Sequence, residues 1–466
     1  MTELAYKPDP RLQITLRPEA QTPKSKAVLT LLRAMDAVQW WPPARLEQEQ
    51  FKFLEQLLKH ARSTCPYYNQ ALGSVRSLEA ADLQAGTWAD VPILPRSTVN
   101  AQEKRLLSRS IPKGDGPVSD IYTSGTTGRP IRFFRTRRVL WYWSAFTTRD
   151  HLWHNRDFSG KFAAIRESGK GKAPYPKGSR FPAWGSRDSV FKTGPCFGLN
   201  INSSIEQMAE WIGRVDPDYL LTHPTVVAAL ARHCVSEQIL FPSLKEIQTI
   251  SEIVPPGLRE TVTEAWGVPL SDMYSGREIG YMALQCPDHA HYHVMSEGVY
   301  LEVVDEQGRP CRPGETGRVL VTALQNFVMP LIRYEIGDFA EVGEHCPCGR
   351  GLPVLTRILG RQQNMLTLPT GESRWTLLSS GDIRSFMGLA PVRQYQFAQV
   401  AKDAIEVRLA VARELTKEEE SRIADWTQTK FAYPFDISFK YSDELSRTKA
   451  GKFQDFVSEL PKEATG

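Results

Sequence analysis

Residues 122–130 have the sequence Tyr122-Thr123-Ser124-Gly125-Thr126-Thr127-Gly128-Arg129-Pro130, a run of hydroxyl side chains and glycines that ends in a cation. Glycines let the backbone approach a phosphate closely, and successive N–H groups in such a turn form a concavity that binds anions. The stretch is not a Walker P-loop, because no Gly-Lys-Ser/Thr follows at the required spacing. It predicts a phosphate-binding loop, with an ordinary surface loop as the alternative.

The composition indicates a globular protein of ordinary balance. The chain has 466 residues, of which 41% are hydrophobic and 24% charged, with a net charge of +4. So small an excess of positive charge gives no reason to expect nucleic acid or an anionic membrane as a partner. No apolar run is long enough to span a bilayer, and the N-terminus lacks the apolar segment of a secretory signal. Seven cysteines, an odd number, do not form a disulfide framework, so we expect a cytoplasmic enzyme with reduced thiols.

From about residue 205 onward the pattern alternates between helix and strand, which predicts α/β layering with parallel strands. The strands expected at Val299 to Val304 and Arg318 to Leu324 have no helix between them, so a β-rich subregion follows. The last hundred residues indicate a small α+β unit, in which Thr416-x-x-Glu419 is a capping box that opens a helix. The alternating elements are predicted as helices at 205–215, 224–233 and 256–266 and as strands at 218–222, 247–251 and 270–274.

Two regions lack clear periodicity. Residues 1–44 contain many prolines and charges, and we expect them to form an extended N-terminal wrap. Residues 160–195 are rich in Gly, Lys, Pro and Ser, and we expect a long surface loop, with a functional loop over a site as the alternative.

The stretch at 122–130 resembles the phosphate loop of the adenylate-forming superfamily, which includes acyl-CoA ligases, luciferases and nonribosomal adenylation domains. Arg129 stands where the family usually has lysine. Further stretches resemble the family's other motifs in the family's order. These are the adenine motif at 272–278 (Asp-Met-Tyr-Ser-Gly-Arg-Glu), the ribose motif at 331–338, the hinge at 360–364 (Gly-Arg-Gln-Gln-Asn) and the catalytic-lysine motif at 446–453 (Ser-Arg-Thr-Lys-Ala-Gly-Lys-Phe).

This resemblance implies roles for named residues. Lys452 would bridge the carboxylate and phosphate oxygens during catalysis, Glu278 would take part in catalysis and hold Mg²⁺, and Thr123 would complete the catalytic set. Arg277 and Asn364 depart from the family's pattern. The residues that would bind the nucleotide are Ser124, Gly125, Thr126, Thr127, Gly128, Arg129, Tyr274, Ser275, Asp338 and Arg361. Of these, Tyr274 would lie against the adenine and Asp338 would accept hydrogen bonds from the ribose hydroxyls.

The resemblance also implies the domain organisation, with a large ATP- and acid-binding domain at residues 1–360 and a small, mobile α+β domain at 361–466. Within the superfamily, three short stretches are similar to the phenylacetate–CoA ligase-like branch. They are 60–68 (His-Ala-Arg followed by Cys-Pro-Tyr-Tyr), 92–96 (Pro-Ile-Leu-Pro-Arg) and 346–350 (Cys-Pro-Cys-Gly-Arg).

Cysteines and histidines offer a possible metal site. Cys346 and Cys348 can present two sulfurs to one tetrahedral ion, and Cys286, His289, His291 and His293 lie upstream. Three thiolates and one imidazole would complete a closed structural zinc site. In the branch that the chain resembles, a Cys and a later His supply the other ligands, which favours Cys286 and His293, with His291 as the alternate; His345 stays open. The alternative is a pair of thiols on a turn that bind no metal.

These roles imply an AMP-forming acid ligase that uses ATP and Mg²⁺. The predicted substrate is a carboxylic acid, aromatic by resemblance, which ATP converts to an acyl-adenylate with release of pyrophosphate. The acceptor is CoA, or else an amine or a carrier protein. Residues 197–200 and 223–225 are candidates for the acid pocket. Two other classes stay open, a non-catalytic nucleotide-binding relative and a zinc-dependent interaction module, and the sequence leaves the oligomeric state undetermined.

Overall fold

The computed structural model describes residues 7–14, 16, 21–122, 131–169, 171–185, 190–361, 365–376, 378–445 and 453–460. The chain forms two compact units. Unit 1 contains residues 1–162, 180–197 and 271–358, and unit 2 contains residues 163–179, 198–270 and 359–466. The domain boundary expected at residue 360 stays a prediction.

Helices make up most of the first 160 residues and recur in the second half of the chain. The α-helices are α1 Pro23–Val38, α2 Pro43–Thr64, α3 Pro66–Ala71, α4 Ala80–Gln84, α5 Arg96–Ala101, α6 Glu103–Leu106, α7 Arg137–Trp153, α8 Ile205–Val215, α9 Pro224–Ser236, α10 Leu258–Trp266, α11 Ser380–Met387 and α12 Lys417–Phe431. Short 3₁₀ turns lie at Pro10–Leu12 and Thr87–Asp90.

Strands fall into a run between residues 270 and 361 and several shorter groups. They are β1 Val118–Tyr122, β2 Arg132–Thr136, β3 Phe162–Arg166, β4 Ser179–Phe181, β5 Cys196–Asn200, β6 Tyr219–Thr222, β7 Glu246–Thr249, β8 Leu270–Gly276, β9 Gly280–Gln285, β10 Tyr292–Val294, β11 Val299–Val304, β12 Thr316–Ala323, β13 Tyr334–Val342, β14 Val354–Arg361, β15 Met365–Thr367, β16 Ser373–Trp375, β17 Val392–Ala401, β18 Ala404–Val411, β19 Asp436–Tyr441 and β20 Phe456–Ser458.

Unit 1 is built on an antiparallel sheet whose strands follow the order β11-β12-β13-β14-β10-β9-β8. Apolar side chains of α2, such as Leu54, Leu57 and Leu58, share one buried core with the strand residues Val319, Val321 and Tyr334. Helical spacing on α2 places those leucines on one stripe, and burying such a stripe against a sheet is the main source of stability in this layer. The β-rich subregion predicted after the α/β segment is therefore present.

Unit 2 contains parallel and antiparallel strands. β6 and β7 pair in parallel, with Leu220 opposite Ile247, as the alternation of helices and strands predicts. A separate four-stranded sheet has the order β19-β18-β17-β20, and its core joins Phe397 with Phe386 of α11 and Ile423 of α12. α12 begins at a capping box in which the Thr416 side chain and Glu419 satisfy each other's backbone N–H groups. The predicted α/β class is confirmed.

Two expectations about the irregular regions are wrong. Residues 23–38 form α1 rather than an extended wrap, because Thr22 caps the helix, Pro23 occupies its first turn, and Val28, Leu32 and Met35 line a buried stripe. The stretch 160–195 is also not a continuous loop, since β3 lies within it. β3 is buried along most of its length, and so short an apolar run is easily missed in a segment rich in turn residues.

Candidate active site and metal centre

The predicted adenine and ribose motifs meet in unit 1. Tyr274 is buried on β8, and its hydroxyl donates a hydrogen bond to Asp338 Oδ2 at 2.8 Å. Asp338 lies on β13 directly after Gly337, whose φ is +89°. Because side chains strongly disfavour that backbone conformation, glycine is required beside the carboxylate. Two motifs 64 residues apart in the sequence thus contribute to one polar cluster.

Glu278 pairs with Arg96, a cation to which the motifs assign no role. Its side chain is 6% exposed, and Oε1 lies 3.2 Å from Arg96 Nη1, at the start of α5. Arg96 also donates to the Tyr334 hydroxyl at 2.9 Å. Arg96 ends the Pro-Ile-Leu-Pro-Arg stretch at 92–96, which is similar to the phenylacetate–CoA ligase-like branch. That similarity is the sequence signal that could have pointed to Arg96. A carboxylate is a suitable ligand for a hard cation such as Mg²⁺, which would share Glu278 with Arg96.

The first residue of the predicted phosphate loop lies beside the adenine motif. Tyr122 ends β1 and stands opposite Arg132 of β2, with which β1 pairs antiparallel. Arg277, which departs from the family's pattern, donates to the Tyr122 carbonyl oxygen at 3.4 Å. The predicted site residues of this loop lie outside the described residues. They are Thr123 of the predicted catalytic set and six residues of the predicted nucleotide site, Ser124, Gly125, Thr126, Thr127, Gly128 and Arg129. Ser275 follows Tyr274 on β8.

Unit 2 carries a buried carboxylate next to the predicted catalytic-lysine motif. Lys452 lies outside the described residues, but Phe453, the next residue, donates its N–H to Glu252 Oε1 at 2.7 Å. Glu252 also accepts from the Thr225 hydroxyl at 2.8 Å, and His223 Nδ1 lies 3.4 Å from it. Burial raises the pKa of Glu252, but His223 and these hydrogen bonds outweigh it and hold the pKa below its ordinary value. Arg361 ends β14, also in unit 2.

Three cysteines and one histidine converge in unit 1. Cys286 follows β9, His293 lies on β10, and Cys346 and Cys348 lie on the turn after β13; their ligand atoms all lie within 4.8 Å of one another. The Sγ atoms of Cys286 and Cys346 are 3.8 Å apart, and Cys348 Sγ is 3.4 Å from His293 Nε2. Zn–S bonds of about 2.3 Å and Zn–N bonds of about 2.0 Å give tetrahedral edges of roughly these lengths. The donor set and its spacing therefore fit a zinc ion.

His291, the alternate ligand, is outside this group. Its ring lies against that of His293 with centroids 5.6 Å apart and planes at 85°. Hydrogen bonds from the Cys286 thiol and from His293 outweigh burial and lower the pKa of Cys348. A thiolate is the form of cysteine that binds metal.

A small, partly open recess lies in unit 1 beside the residues that follow Glu278. Its lining includes Tyr142, Trp143 and Phe146 of α7, Gly280 at the start of β9, and Asn326 after β12. The segments 197–200 and 223–225, which the sequence suggested for an acid pocket, do not line it. Side chains from α7 reach this recess only through the tertiary fold, so no local sequence signal pointed to them.

Comparison with known proteins relates this chain to acyl-CoA ligases. No protein-family model matches it. A stretch of 116 residues is 33% identical to a phenylacetate-coenzyme A ligase of Thermus thermophilus and covers 24% of this chain and 26% of that protein. A stretch of 212 residues is 27% identical to an uncharacterized acyl-CoA ligase, YhfT, of Bacillus subtilis and covers 44% of this chain and 41% of that protein. The first match thus spans about a quarter of the length of its relative, and the second match about two fifths.

Solved structures match over much more of the chain. A 2-hydroxyisobutyryl-CoA ligase in its postadenylation state, bound to an acyl-AMP, superposes with a TM-score of 0.67 over 90% of this chain and 91% of that one, at 17% identity. An anthranilate CoA ligase bound to anthranoyl-AMP superposes with a TM-score of 0.51 over 72% and 64%, at 20% identity. The fold is that of the adenylate-forming CoA ligases. The resemblance that the motifs indicate is therefore confirmed at the level of the fold.

No helix in the described part of the chain has both the length and the apolar character that crossing a bilayer requires.

Proposed function

We propose that this protein activates a carboxylic acid with ATP and transfers the acyl group to CoA. The observation that carries the proposal is the hydrogen bond between Tyr274 and Asp338, which unites the adenine and ribose motifs within the fold of adenylate-forming CoA ligases. In the first step, a carboxylate oxygen attacks the α-phosphorus of ATP, and the bond to pyrophosphate breaks. In the second, the CoA sulfur attacks the acyl carbon, AMP leaves, and the thiol proton passes to solvent.

The chain's residues act in this scheme by positioning and by electrostatics. Tyr274 orients the Asp338 carboxylate toward the ribose hydroxyls, and the loop at 123–129 donates hydrogen bonds to the phosphates. Lys452 carries the positive charge that draws the carboxylate and the α-phosphate together. Preorganised charges of this kind stabilise the transition state without reorganising during the reaction. Glu278 would hold Mg²⁺, which when bound offsets phosphate charge.

Zinc would occupy the site formed by Cys286, His293, Cys346 and Cys348. A closed four-ligand site leaves no coordination position for a substrate, so its role would be structural. It would tie the ends of β9, β10 and β13 together in unit 1. The proposed division into a large domain at 1–360 and a small, mobile domain at 361–466 would let Lys452 leave after the first step, in a lid-type motion. The expected location is the cytoplasm.

Acid-dependent exchange of labelled pyrophosphate into ATP tests the activation step. We expect exchange with at least one acid from an aliphatic and aromatic panel, and none without acid. Exchange that fails with every acid would favour the non-catalytic nucleotide-binding relative. A second assay then offers CoA, an amine or a carrier protein to the activated acid. Thioester formation with CoA would support the proposal, whereas product with an amine alone would make the protein an amide synthetase.

A further inference from the structure

Glu278 lies at the tip of a well-fixed hairpin. β8 and β9 pair antiparallel with Gly276 opposite Gly280, so residues 277–279 form the turn between them. The Ile279 N–H donates to the Gly276 carbonyl oxygen at 3.3 Å, and the Ile279 side chain is buried in the core of unit 1. The turn is thus held by its own hydrogen bond and by the buried residue that follows Glu278. The carboxylate therefore has a defined position.

The backbone before α5 brings Arg96 to this carboxylate. Leu94 forms two backbone hydrogen bonds of 3.0 Å, in which it donates to Arg333 and accepts from Glu335. Arg96 follows two residues later as the first residue of α5, and its Nη1 donates to the Tyr334 hydroxyl at 2.9 Å. Both the backbone before Arg96 and its side chain are therefore joined to the start of β13. The guanidinium stays beside the hairpin tip without depending on the carboxylate alone.

The ion pair between Arg96 and Glu278 uses only one carboxylate oxygen. Arg96 Nη1 lies 3.2 Å from Glu278 Oε1, and no described residue donates to Oε2. The buried pair of Arg149 and Glu297 differs, because it joins both oxygens, at 2.6 and 3.1 Å. Structural arginine–carboxylate pairs are often bidentate in this way, with bonds of about 2.7–2.9 Å. Glu278 can therefore accept a second cation through Oε2 while it keeps Arg96.

The charge of Arg96 opposes the binding of that second cation. A guanidinium beside one oxygen neutralises the carboxylate and repels a dication at the other oxygen. Mg²⁺ gives up its waters reluctantly and is usually bound by one or two carboxylates together with the phosphates of a substrate. A single carboxylate that is already paired is therefore a poor site for the free ion. ATP carries several negative charges, which outweigh the repulsion from one guanidinium.

We propose that Arg96 makes the binding of Mg²⁺ by Glu278 depend on ATP, so that the carboxylate binds the free ion weakly and accepts the ion that ATP brings. This inference rests on the proposed function, because it takes Glu278 as the carboxylate that would hold Mg²⁺. Arg96 is a positioning residue in this scheme and acts through Glu278. The coupling is reciprocal, so ATP also binds more tightly with the ion than without it.

Mn²⁺ is the probe for the first test, because electron paramagnetic resonance distinguishes the free ion from the bound ion. The full chain is titrated without nucleotide, and any binding that Glu278→Gln retains is subtracted. Arg96→Met removes the charge at similar length, so it should raise the Mn²⁺ affinity by roughly tenfold or more. Arg96→Lys keeps the charge and should retain the weak binding of the wild type.

A second titration uses a non-hydrolysable ATP analogue that is saturated with Mn²⁺. Its dissociation constant, measured by calorimetry, should differ by less than about threefold between the wild type and Arg96→Met, because the phosphate charges dominate the site. The circular dichroism spectrum and the melting temperature show whether each variant is folded.

Arg277→Met is the matched control. It removes the same charge from the residue next to Glu278, but Arg277 is exposed and donates to the Tyr122 carbonyl oxygen at 3.4 Å. This variant should raise the affinity for free Mn²⁺ much less than Arg96→Met does. The double variant Arg96→Met/Glu278→Gln should lose the gain, since the carboxylate that binds the ion is gone.

The outcomes separate this inference from the proposed function. Equal affinity for free Mn²⁺ in the wild type and Arg96→Met, or an equal gain in Arg277→Met, would overturn the inference, and acid-dependent pyrophosphate exchange would leave the ligase proposal standing. The expected Mn²⁺ pattern without exchange for any acid would support the inference and overturn the ligase proposal. Failure of every variant to bind Mn²⁺, with or without the analogue, would overturn the inference, because Glu278 would then not be a cation ligand.

Discussion

At the scale of single residues, the contact between Tyr274 and Asp338 has the most direct functional consequence. The Tyr274 phenol on β8 reaches the Asp338 carboxylate on β13, although three strands lie between them in the strand order, and it fixes the orientation of the carboxylate. A carboxylate held in this way can accept hydrogen bonds from a ribose without first losing side-chain entropy.

Asp338→Asn should weaken ATP binding, because the ribose hydroxyls would lose a charged acceptor, at a cost of about 1.5–3 kcal/mol. Tyr274→Phe should cost less, about 1 kcal/mol, since the carboxylate remains but is less well oriented. Titration calorimetry with ATP in the absence of acid measures both effects. Asp436→Asn, an exposed position on β19, serves as the control. An unchanged dissociation constant in Asp338→Asn would remove this residue from the nucleotide site.

Lys452→Ala should lower the rate of adenylation by several orders of magnitude while ATP affinity changes little. An interaction made only in the transition state affects turnover rather than ground-state binding. Pyrophosphate exchange and ATP titration on the same preparation separate the two effects, with Lys440→Ala on exposed β19 as the matched control. Near-normal exchange in Lys452→Ala would exclude this lysine from the mechanism.

At the scale of secondary-structure elements, the cysteine–histidine cluster joins three segments of unit 1. β9 leads into Cys286, His293 lies on β10, and the turn with Cys346 and Cys348 follows β13. A closed zinc site at this junction would contribute directly to folding stability.

The protein should be purified with about one zinc ion per chain, measurable by elemental analysis. Cys348→Ser should lose the metal and lower the melting temperature more than it lowers the adenylation rate of the folded fraction. Cys196→Ser, outside the cluster, should change neither the zinc content nor the melting temperature appreciably. Metal-free wild-type protein of full stability, or a rate that follows added zinc, would contradict the structural role.

The segment after Lys452 is anchored by an element far away in the sequence. Glu252 follows β7, and its carboxylate binds both the start of α9 and the N–H of Phe453. This anchor holds the backbone next to the predicted catalytic lysine.

Glu252→Ala should therefore slow adenylation by at least tenfold, while thioester formation from a presynthesised acyl-adenylate changes less. Glu252→Gln keeps an oxygen that can accept from Phe453, so it should retain more adenylation activity than the alanine variant. The two half-reactions are measured separately by pyrophosphate exchange and by consumption of CoA. Equal losses in both half-reactions, or equal rates in the two variants, would indicate that Glu252 serves only general stability.

At the scale of the whole molecule, buried ionisable groups should make the protein sensitive to acid. His151 lies beside the Trp184 ring at 4.8 Å, and burial together with the Arg156 charge lowers its pKa to about 3. Asp150 pairs with the fully buried Arg156 at 2.6 Å. Burial raises the pKa of Asp150, but the charges of Arg156 and His154 outweigh it and hold that pKa well below its ordinary value.

The sign of the effect follows from proton binding. Below its ordinary pKa of 6.5, His151 binds a proton only in the unfolded chain, so the free energy of unfolding should fall as the pH drops from about 6.5 to about 3. The loss is at most roughly 5 kcal/mol. Asp150 adds a further loss as the pH falls below its ordinary pKa of 3.8. Urea unfolding across this range measures both.

His151→Phe should flatten the dependence between pH 6.5 and pH 3, because the ring that titrates in the unfolded chain is gone. An equally steep pH dependence in His151→Phe would show that other groups cause the acid sensitivity.

The sequence by itself determined most of the elements after residue 200. α8 at 205–215 and β11 at 299–304 have the predicted bounds, because periodicity and caps are local signals. The motif strings likewise determined the fold family, since several short patterns in one order rarely coincide by chance. The sequence did not predict α1 or β3. Their apolar residues lie among prolines and polar residues, so the local pattern is weak, and only the tertiary structure shows that these residues are buried.

Tertiary structure alone decided which distant groups meet. The pairing of β10 with β9 and β14 brings His293 rather than His291 to three cysteines, although both histidines share one face of a strand by spacing. The partner of Glu278 is Arg96, and the anchor of Phe453 is Glu252; both pairs join residues more than 180 positions apart. The aromatic recess arises where α7 meets β9. Such contacts depend on how elements pack, and packing depends on the whole buried surface, which no local stretch of sequence specifies.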